Sequence, residues 1–194
     1  LRDLVQWQIA GGVEGLVPVG TTGESPTLDF DEHVKVIEAT AEAAAGKVQI
    51  IAGTGANSTS EALALTKAVL QSGVDASLQV TPYYNRPNAE GLYRHFSSVA
   101  DLGLPVVLYN VPGRAGREIP LDVVVRLSSH EKVAAVKEAA GSVDRVSAIR
   151  DACELPVLSG DDSLALPMIS VGACGVISVA SNVIPKEMSS MVRL

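Results

Sequence analysis

The chain has 194 residues, 47% of them hydrophobic, enough to bury a sizeable core and too many for a disordered segment. A formal net charge of −7 with no basic block argues against partners such as nucleic acid or an anionic membrane. No apolar run approaches the length of a membrane span and no signal-peptide pattern is found, so a cytoplasmic protein is expected.

In chain order, Leu1 to Ala10 is apolar at Leu1, Leu4, Val5 and Ile9, the three-and-four spacing of a helix, and Gly11-Gly12 ends it. Val13 to Gly20 reads as a strand running into Thr21-Thr22-Gly23-Glu24-Ser25. A helix follows from Phe30 to Ala45, with Asp29, Asp31 and Glu32 at the end where its dipole favours negative charge. Val48 to Thr54 is the next strand. Ser58 and Glu61 have the spacing of a capping box, opening a helix to Ser72 that Gly73 stops. Ala76 to Thr81 is a strand ending in Pro82-Tyr83-Tyr84-Asn85-Arg86-Pro87, followed by a helix from Ala89 to Leu102.

Pro105 to Asn110 is a strand, and Val111-Pro112-Gly113-Arg114 a loop. Pro120 suits the first position of a helix through Leu127. Val133 to Lys137 is a strand, Ser142 to Ala152 a helix, Pro156 to Ser159 a strand and Ser163 to Val171 a short helix. Gly175 to Ala180 is the last strand, and a helix begins near Pro185. Cys153 and Cys174 lie outside any CxxC and read as reduced core residues.

One helix followed by seven strand–helix units implies an α/β fold with a parallel sheet covered by helices. An open doubly wound sheet and a closed (β/α)8 barrel both satisfy that pattern. The first element is a helix with no strand before it. One additional N-terminal strand would make eight units, so the count favours a TIM barrel lacking its first strand and belonging to a longer chain.

In a barrel, chemistry collects on the loops that follow the strands. Lys137 closes an apolar stretch, Val133-Ala134-Ala135-Val136, where lost hydration disfavours its charged form. A neutral amine there can attack a carbonyl; a lysine whose ammonium merely reaches water would have the same sequence. Thr21 and Thr22 follow the first strand, Tyr83 and Tyr84 the third, Tyr109 and Arg114 the fourth, and Gly160, Asp161 and Asp162 the sixth. Ile177 lies in the seventh. Each also has a plainer reading: a turn for the threonines, a strand-favouring tyrosine, a solvated arginine, helix-capping aspartates. Gly53-Thr54-Gly55 has Ser58 at the third fingerprint position and is no dinucleotide site. His33, His95 and His130 lack ligand spacing, so no metal is expected.

Four segments carry a resemblance. Gly20-Thr21-Thr22-Gly23-Glu24-Ser25, Thr81-Pro82-Tyr83-Tyr84-Asn85-Arg86-Pro87, Tyr109-Asn110-Val111-Pro112-Gly113-Arg114 and Val136-Lys137-Glu138-Ala139 resemble the dihydrodipicolinate synthase family. That family lies in the pyruvate-dependent class I aldolase superfamily, and the resemblance runs in order along the chain. It implies a (β/α)8 barrel with a C-terminal helical domain. Residues 1–184 would be a partial barrel, and 185–194 the start of the helical region.

The resemblance implies condensation of pyruvate with aspartate semialdehyde, in lysine and diaminopimelate biosynthesis, with no cofactor. It makes Lys137 the Schiff-base lysine, Tyr109 its proton donor and acceptor, and Thr21 and Tyr84 the rest of a proton relay. Tyr84 would reach a neighbouring subunit's site, as in a homotetramer built as a dimer of dimers. Thr22 would hold the pyruvate carboxylate with the backbone of Thr21, and Arg114 the carboxylate of the semialdehyde. Gly160 and Ile177 would line the pocket. Ser25, His33, Asn57, Glu61 and Tyr83 match a regulatory lysine cleft, although a solvated helix face would account for His33 and Glu61. Phe30 and Pro26 depart from the inhibited pattern, so weak or absent lysine inhibition is expected. A sugar-acid aldolase such as N-acetylneuraminate lyase would use the same lysine and tyrosine, but Arg114 and the threonine pair argue against it. A non-catalytic barrel is the reading from another class.

Overall fold

The computed structural model describes residues 1–193; Leu194, expected within the final helix, lies outside the described residues. Seven parallel strands form one sheet in sequence order: β1 (Gly15–Leu16), β2 (Gln49–Gly53), β3 (Ala76–Val80), β4 (Val106–Asn110), β5 (Val133–Glu138), β6 (Val157–Ser159) and β7 (Gly175–Val176). Nine helices precede, separate and follow them among the described residues: α1 (Arg2–Ala10), α2 (Phe30–Ala44), α3 (Thr59–Val69), α4 (Ala89–Ala100), α5 (Pro112–Ala115), α6 (Leu121–Ser128), α7 (Val143–Ala152), α8 (Ala165–Ser170) and α9 (Pro185–Val192). The sheet curls in the manner of a TIM barrel. In the helical layer α1 meets α9, and the Gln8 side chain donates to Ser181 O at 2.9 Å. The strands leave β1 and β7 unpaired with each other, and a cavity of about 370 Å³ lies between them.

Alternation along the strands builds two cores. Leu78, Val80, Val107, Tyr109 and Ala135 point into the barrel. Leu108 and Val136 point outward, where they meet Leu92, Phe96, Leu127 and Ile149 of the helices. Phe96 is fully buried, so truncating it to alanine would cost about 3–5 kcal/mol. Local chemistry sets the helix starts. The side chains of Asp29 and Asn88 cap α2 and α4, accepting from Glu32 N and Gly91 N at 2.8 Å each. Ser142 does the same for α7, accepting from Arg145 N at 3.3 Å.

Several expected boundaries shift. The strand expected from Val13 to Gly20 keeps ladder pairing only at Gly15–Leu16, because Pro18 has no N–H to donate and Val19 turns to φ +54°. The strand expected from Gly175 to Ala180 likewise stops at Val176, and Ala180–Asn182 forms a 3-10 turn. Ser58 occupies the cap position of α3, but its hydroxyl bonds Ser60 Oγ at 2.8 Å and no capping box forms. The loop expected at 111–114 contains the one-turn helix α5, with Pro112 at its first position, where a missing N–H costs nothing.

Candidate active site

The strand register brings the lysine and the tyrosine together. Tyr109 on β4 pairs with Lys137 on β5, and alternation turns both side chains into the barrel. Lys137 Nζ lies 4.0 Å from the centroid of the Tyr109 ring. The two residues are 6% and 3% exposed. Burial lowers the Lys137 pKa to about 8, against the pull of Asp161 and Asp162, and Arg114 lowers it further. The ring face also favours the ammonium, so burial outweighs two opposing influences. At pH 7 roughly one molecule in ten then carries a neutral amine, against fewer than one in a thousand for an ordinary lysine.

Gly160 lies against this amine. A Cβ there would fall 2.6 Å from Ala139 Cβ and 3.1 Å from Lys137 Cε, so only glycine allows the approach. Its N–H donates to Glu138 O at 2.7 Å. Ile177, directly after β7, packs half-buried against the cluster that contains Tyr109. Arg114 is exposed on α5 and near enough to act on the lysine's charge.

Thr21 and Thr22 occupy a single 3-10 turn, Thr21–Gly23, on the loop after β1. Thr21 is half-buried and Thr22 exposed. The loop is seated directly on β2, because a Cβ at Gly53 would collide with Val19 O. Four non-glycine residues with positive φ cluster on the loops after β1 and β3: Val19 (+54°), Glu24 (+66°), Tyr84 (+70°) and Arg86 (+44°). Backbone held in this sparsely populated region concentrates at functional sites. Tyr84 is 91% exposed and does not join the buried cluster around Lys137.

A second group forms around a cavity of about 60 Å³ lined by Ser25, His33, Glu61 and Tyr83, together with Pro26 and Phe30. Asn57 joins it through a 3.3 Å bond from its amide to Tyr83 O. His33 is buried rather than solvated, and its Nε2 lies 2.6 Å from Gly53 O. A carbonyl only accepts, so Nε2 carries the proton. Burial lowers the pKa of His33, whereas burial and the Glu61 carboxylate raise that of Tyr83. Glu61 is exposed, as a solvated helix face would have it.

The sequence places Asp161 and Asp162 among the polar residues after the sixth strand, with helix caps as the plainer reading; both act on the charge of Lys137. Asp162 also accepts from Val179 N and Ala180 N at 3.1 and 2.9 Å, fixing the turn after β7. Asn110 and Glu138 enter the sequence reading only as motif members, and both are fully buried beside the lysine and tyrosine. Their signal is available in the sequence: polar residues adjacent to Tyr109 and Lys137, on strands otherwise apolar on both faces. Among the described residues, no cluster of three or more His, Cys, Asp or Glu side chains could hold a metal ion.

The whole chain, residues 1–194, matches the model of the dihydrodipicolinate synthetase family. It is 50% identical to the 4-hydroxy-tetrahydrodipicolinate synthase of Geotalea daltonii, covering 99% of this chain and 67% of that protein. The structure of the 4-hydroxy-tetrahydrodipicolinate synthase of Methylacidiphilum fumariolicum superposes with a TM-score of 0.97 at 51% identity, covering 100% of this chain and 66% of that one. A chloride-inhibited dihydrodipicolinate synthase from Acinetobacter baumannii, solved with pyruvate, superposes with a TM-score of 0.96 at 47% identity, over 99% and 67% of the two chains. The chain thus spans about two thirds of the length of these relatives.

Proposed function

Because the chain belongs to the dihydrodipicolinate synthetase family, we propose that it carries the condensation of pyruvate with L-aspartate 4-semialdehyde to 4-hydroxy-tetrahydrodipicolinate, through a Schiff base on Lys137. One observation carries this reading: a buried amine with a pKa lowered to about 8, lying on the ring face of Tyr109. An amine in that state is a competent nucleophile near neutral pH, and a solvated lysine is not.

In this scheme the neutral amine adds to the pyruvate ketone, and the carbinolamine loses water to give an iminium. The iminium draws electrons from the adjacent methyl group, so a methyl proton leaves and an enamine forms. The enamine carbon attacks the aldehyde, making the new C–C bond. The substrate's own amino group then displaces Lys137 and closes the ring. The iminium is itself the electron sink, so the steps call for no metal or organic cofactor.

Each step moves a proton, which is the task of a hydroxyl relay. Tyr109 is the member next to the amine, with Thr21 and Tyr84 completing it. Thr22, with the backbone of Thr21, holds the pyruvate carboxylate. Arg114 offers a planar fork to the carboxylate of the semialdehyde. Gly160 and Ile177 shape the pocket. The exposure and positive φ of Tyr84 support its delivery to a second copy of the chain, within a homotetramer acting in the cytoplasm. The small cavity at His33 and Tyr83 is a regulatory lysine site of weak or no effect, because Phe30 stands in its wall where a histidine is expected.

Borohydride reduction in the presence of pyruvate tests the scheme. One pyruvate-derived adduct is expected on the peptide containing Lys137, and none after Lys137→Ala. Adduct on a different lysine would overturn it. Turnover with N-acetylmannosamine but not with aspartate semialdehyde would establish a sugar-acid aldolase instead. Absence of any adduct would favour a non-catalytic barrel.

A further inference from the structure

Behind Lys137 and Tyr109, on the outward face of the same two strands, lies a buried polar network, separate from the Thr54–Thr66–Gln79 group farther along the sheet. Asn110 pairs in register with Glu138, one residue beyond the pair formed by Tyr109 and Lys137. Both are completely buried. Asn110 Nδ2 donates to both carboxylate oxygens of Glu138 at 2.9 Å. Glu138 Oε1 also accepts from Ala140 N at 2.8 Å. Arg145 on α7 completes the group, with Nε 3.6 Å from Glu138 Oε2 and Nη1 3.0 Å from Glu118 Oε1.

The network also closes the loop that carries Arg114. Asn110 Oδ1 accepts from Ile119 N at 2.9 Å, and the Arg145 guanidinium donates to Ile119 O. The chain leaves β4 at Asn110, passes through α5 with Arg114, and is tied back to Asn110 at Ile119. Three groups assigned to the reaction therefore hang from one frame. Lys137 is bonded to Glu138 along β5, Tyr109 to Asn110 along β4, and Arg114 lies within the closed loop.

A fully buried carboxylate is an expensive way to join two strands whose apolar faces already set their register. What it adds is a fixed position for the neighbouring residues, through short bonds with little freedom. We propose that Asn110, Glu138 and Arg145 are positioning residues that hold Lys137, Tyr109 and the Arg114 loop in mutual alignment for the condensation. The inference rests on the proposed Schiff-base reaction. Small errors in such alignment can lower rates up to about a hundredfold.

The test exchanges the two polar groups across the strands in the whole protein. Asn110→Asp sets two carboxylates face to face, whereas the double variant N110D/E138Q restores a donor–acceptor pair with the polarity reversed. In the double variant the carboxylate introduced on β4 still accepts from Ile119 N, and the amide oxygen introduced on β5 still accepts from Ala140 N; Arg145 loses Glu138 Oε2 but keeps Ile119 O and Glu118 Oε1. Rates are expressed per borohydride-trappable site, so molecules that fail to fold are not counted. For N110D we expect kcat about tenfold or more below that of the unaltered protein and a semialdehyde KM about tenfold higher, with N110D/E138Q returning both to within about threefold. Glu138→Gln alone, which keeps shape and volume, should lie between them. Unchanged kcat and KM per trappable site, with only a lowered melting temperature, would reduce the network to a structural element and overturn the proposal. A double variant no better than N110D would do the same. No trapped adduct in the unaltered protein would overturn the condensation reading and this inference with it; normal trapping with indifferent variants overturns this inference alone.

Discussion

At the residue scale the site turns on the protonation of Lys137. Its pKa of about 8 is set mainly by burial, so the neutral fraction rises about tenfold per pH unit on approach to that value and saturates above it. The rate of adduct formation at subsaturating pyruvate should follow that curve, rising from pH 6 and levelling above about pH 8. A rise continuing to pH 10 in a stopped-flow or quenched trapping series would mean that the amine is not desolvated. Gly160 supplies a second prediction. Gly160→Ala puts a methyl 3.1 Å from Lys137 Cε and 2.6 Å from Ala139 Cβ, so the lysine must shift. Trapping should slow at least tenfold, and the melting temperature should fall as well, because the Ala139 Cβ is fixed to the backbone and cannot swing aside. These residues are legible in the sequence because each breaks the character of its surroundings: a cation ending an apolar strand, a tyrosine in a chain with 4% aromatics. Glu138 breaks the character of its strand too, but its role is not legible, since a carboxylate after a strand lysine reads as surface until its register partner Asn110 is known.

At the element scale, helices are more legible than strands. A helix bonds to itself, and caps such as Asp29 and Asn88 are written beside it. A strand needs a neighbour on which pairing continues, so Val17, Val19, Ile177 and Val179 favour β structure yet lie outside β1 and β7; Ile177 N still donates to Ser159 O at 2.8 Å, and the ladder goes no further. Between α3 and α4 the helices carry an acid-sensitive contact. His95 is 4% exposed, its Nδ1 lies 2.8 Å from Thr59 Oγ1, and its Nε2 has no partner. Burial lowers its pKa to about 4 from the usual 6.5. Between those values the unfolded chain binds a proton that the folded chain refuses, so stability falls as pH drops from 6.5 and levels below 4. The loss is on the order of 3 kcal/mol. Urea titrations at pH 7 and pH 4.5 should show it, and His95→Gln should reduce the difference clearly, leaving the part that buried His33 contributes in the same direction. Equal pH dependence in the variant would place the acid sensitivity elsewhere.

At the scale of the whole molecule, the alternation of strands and helices predicts seven parallel strands, and helix contacts distinguish a barrel from an open sheet. In an open sheet the first and last helices lie far apart; here α1 reaches α9 and the turn at Ala180–Asn182. The sheet itself does not close, and the consequence is physical. β1 and β7 each present one unpaired edge to a cavity of about 370 Å³, an arrangement that accepts foreign strands. Beside it Leu1, Leu4 and Trp7 at and along α1 and Val183 and Ile184 before α9 are exposed, which adds apolar surface to the open backbone. Against association stands a net charge of −7, modest repulsion that salt screens beyond about 8–10 Å. Contact between edges is shorter in range than that, so pairing should win. A preparation of these 194 residues alone should self-associate at micromolar concentration. Sedimentation velocity would show it, and the emission of Trp7, the chain's single tryptophan, should shift to the blue as its exposed ring becomes covered. A monomer at all concentrations with one sharp cooperative melt would show instead that the short edges of β1 and β7, two residues each, are too small to recruit a partner.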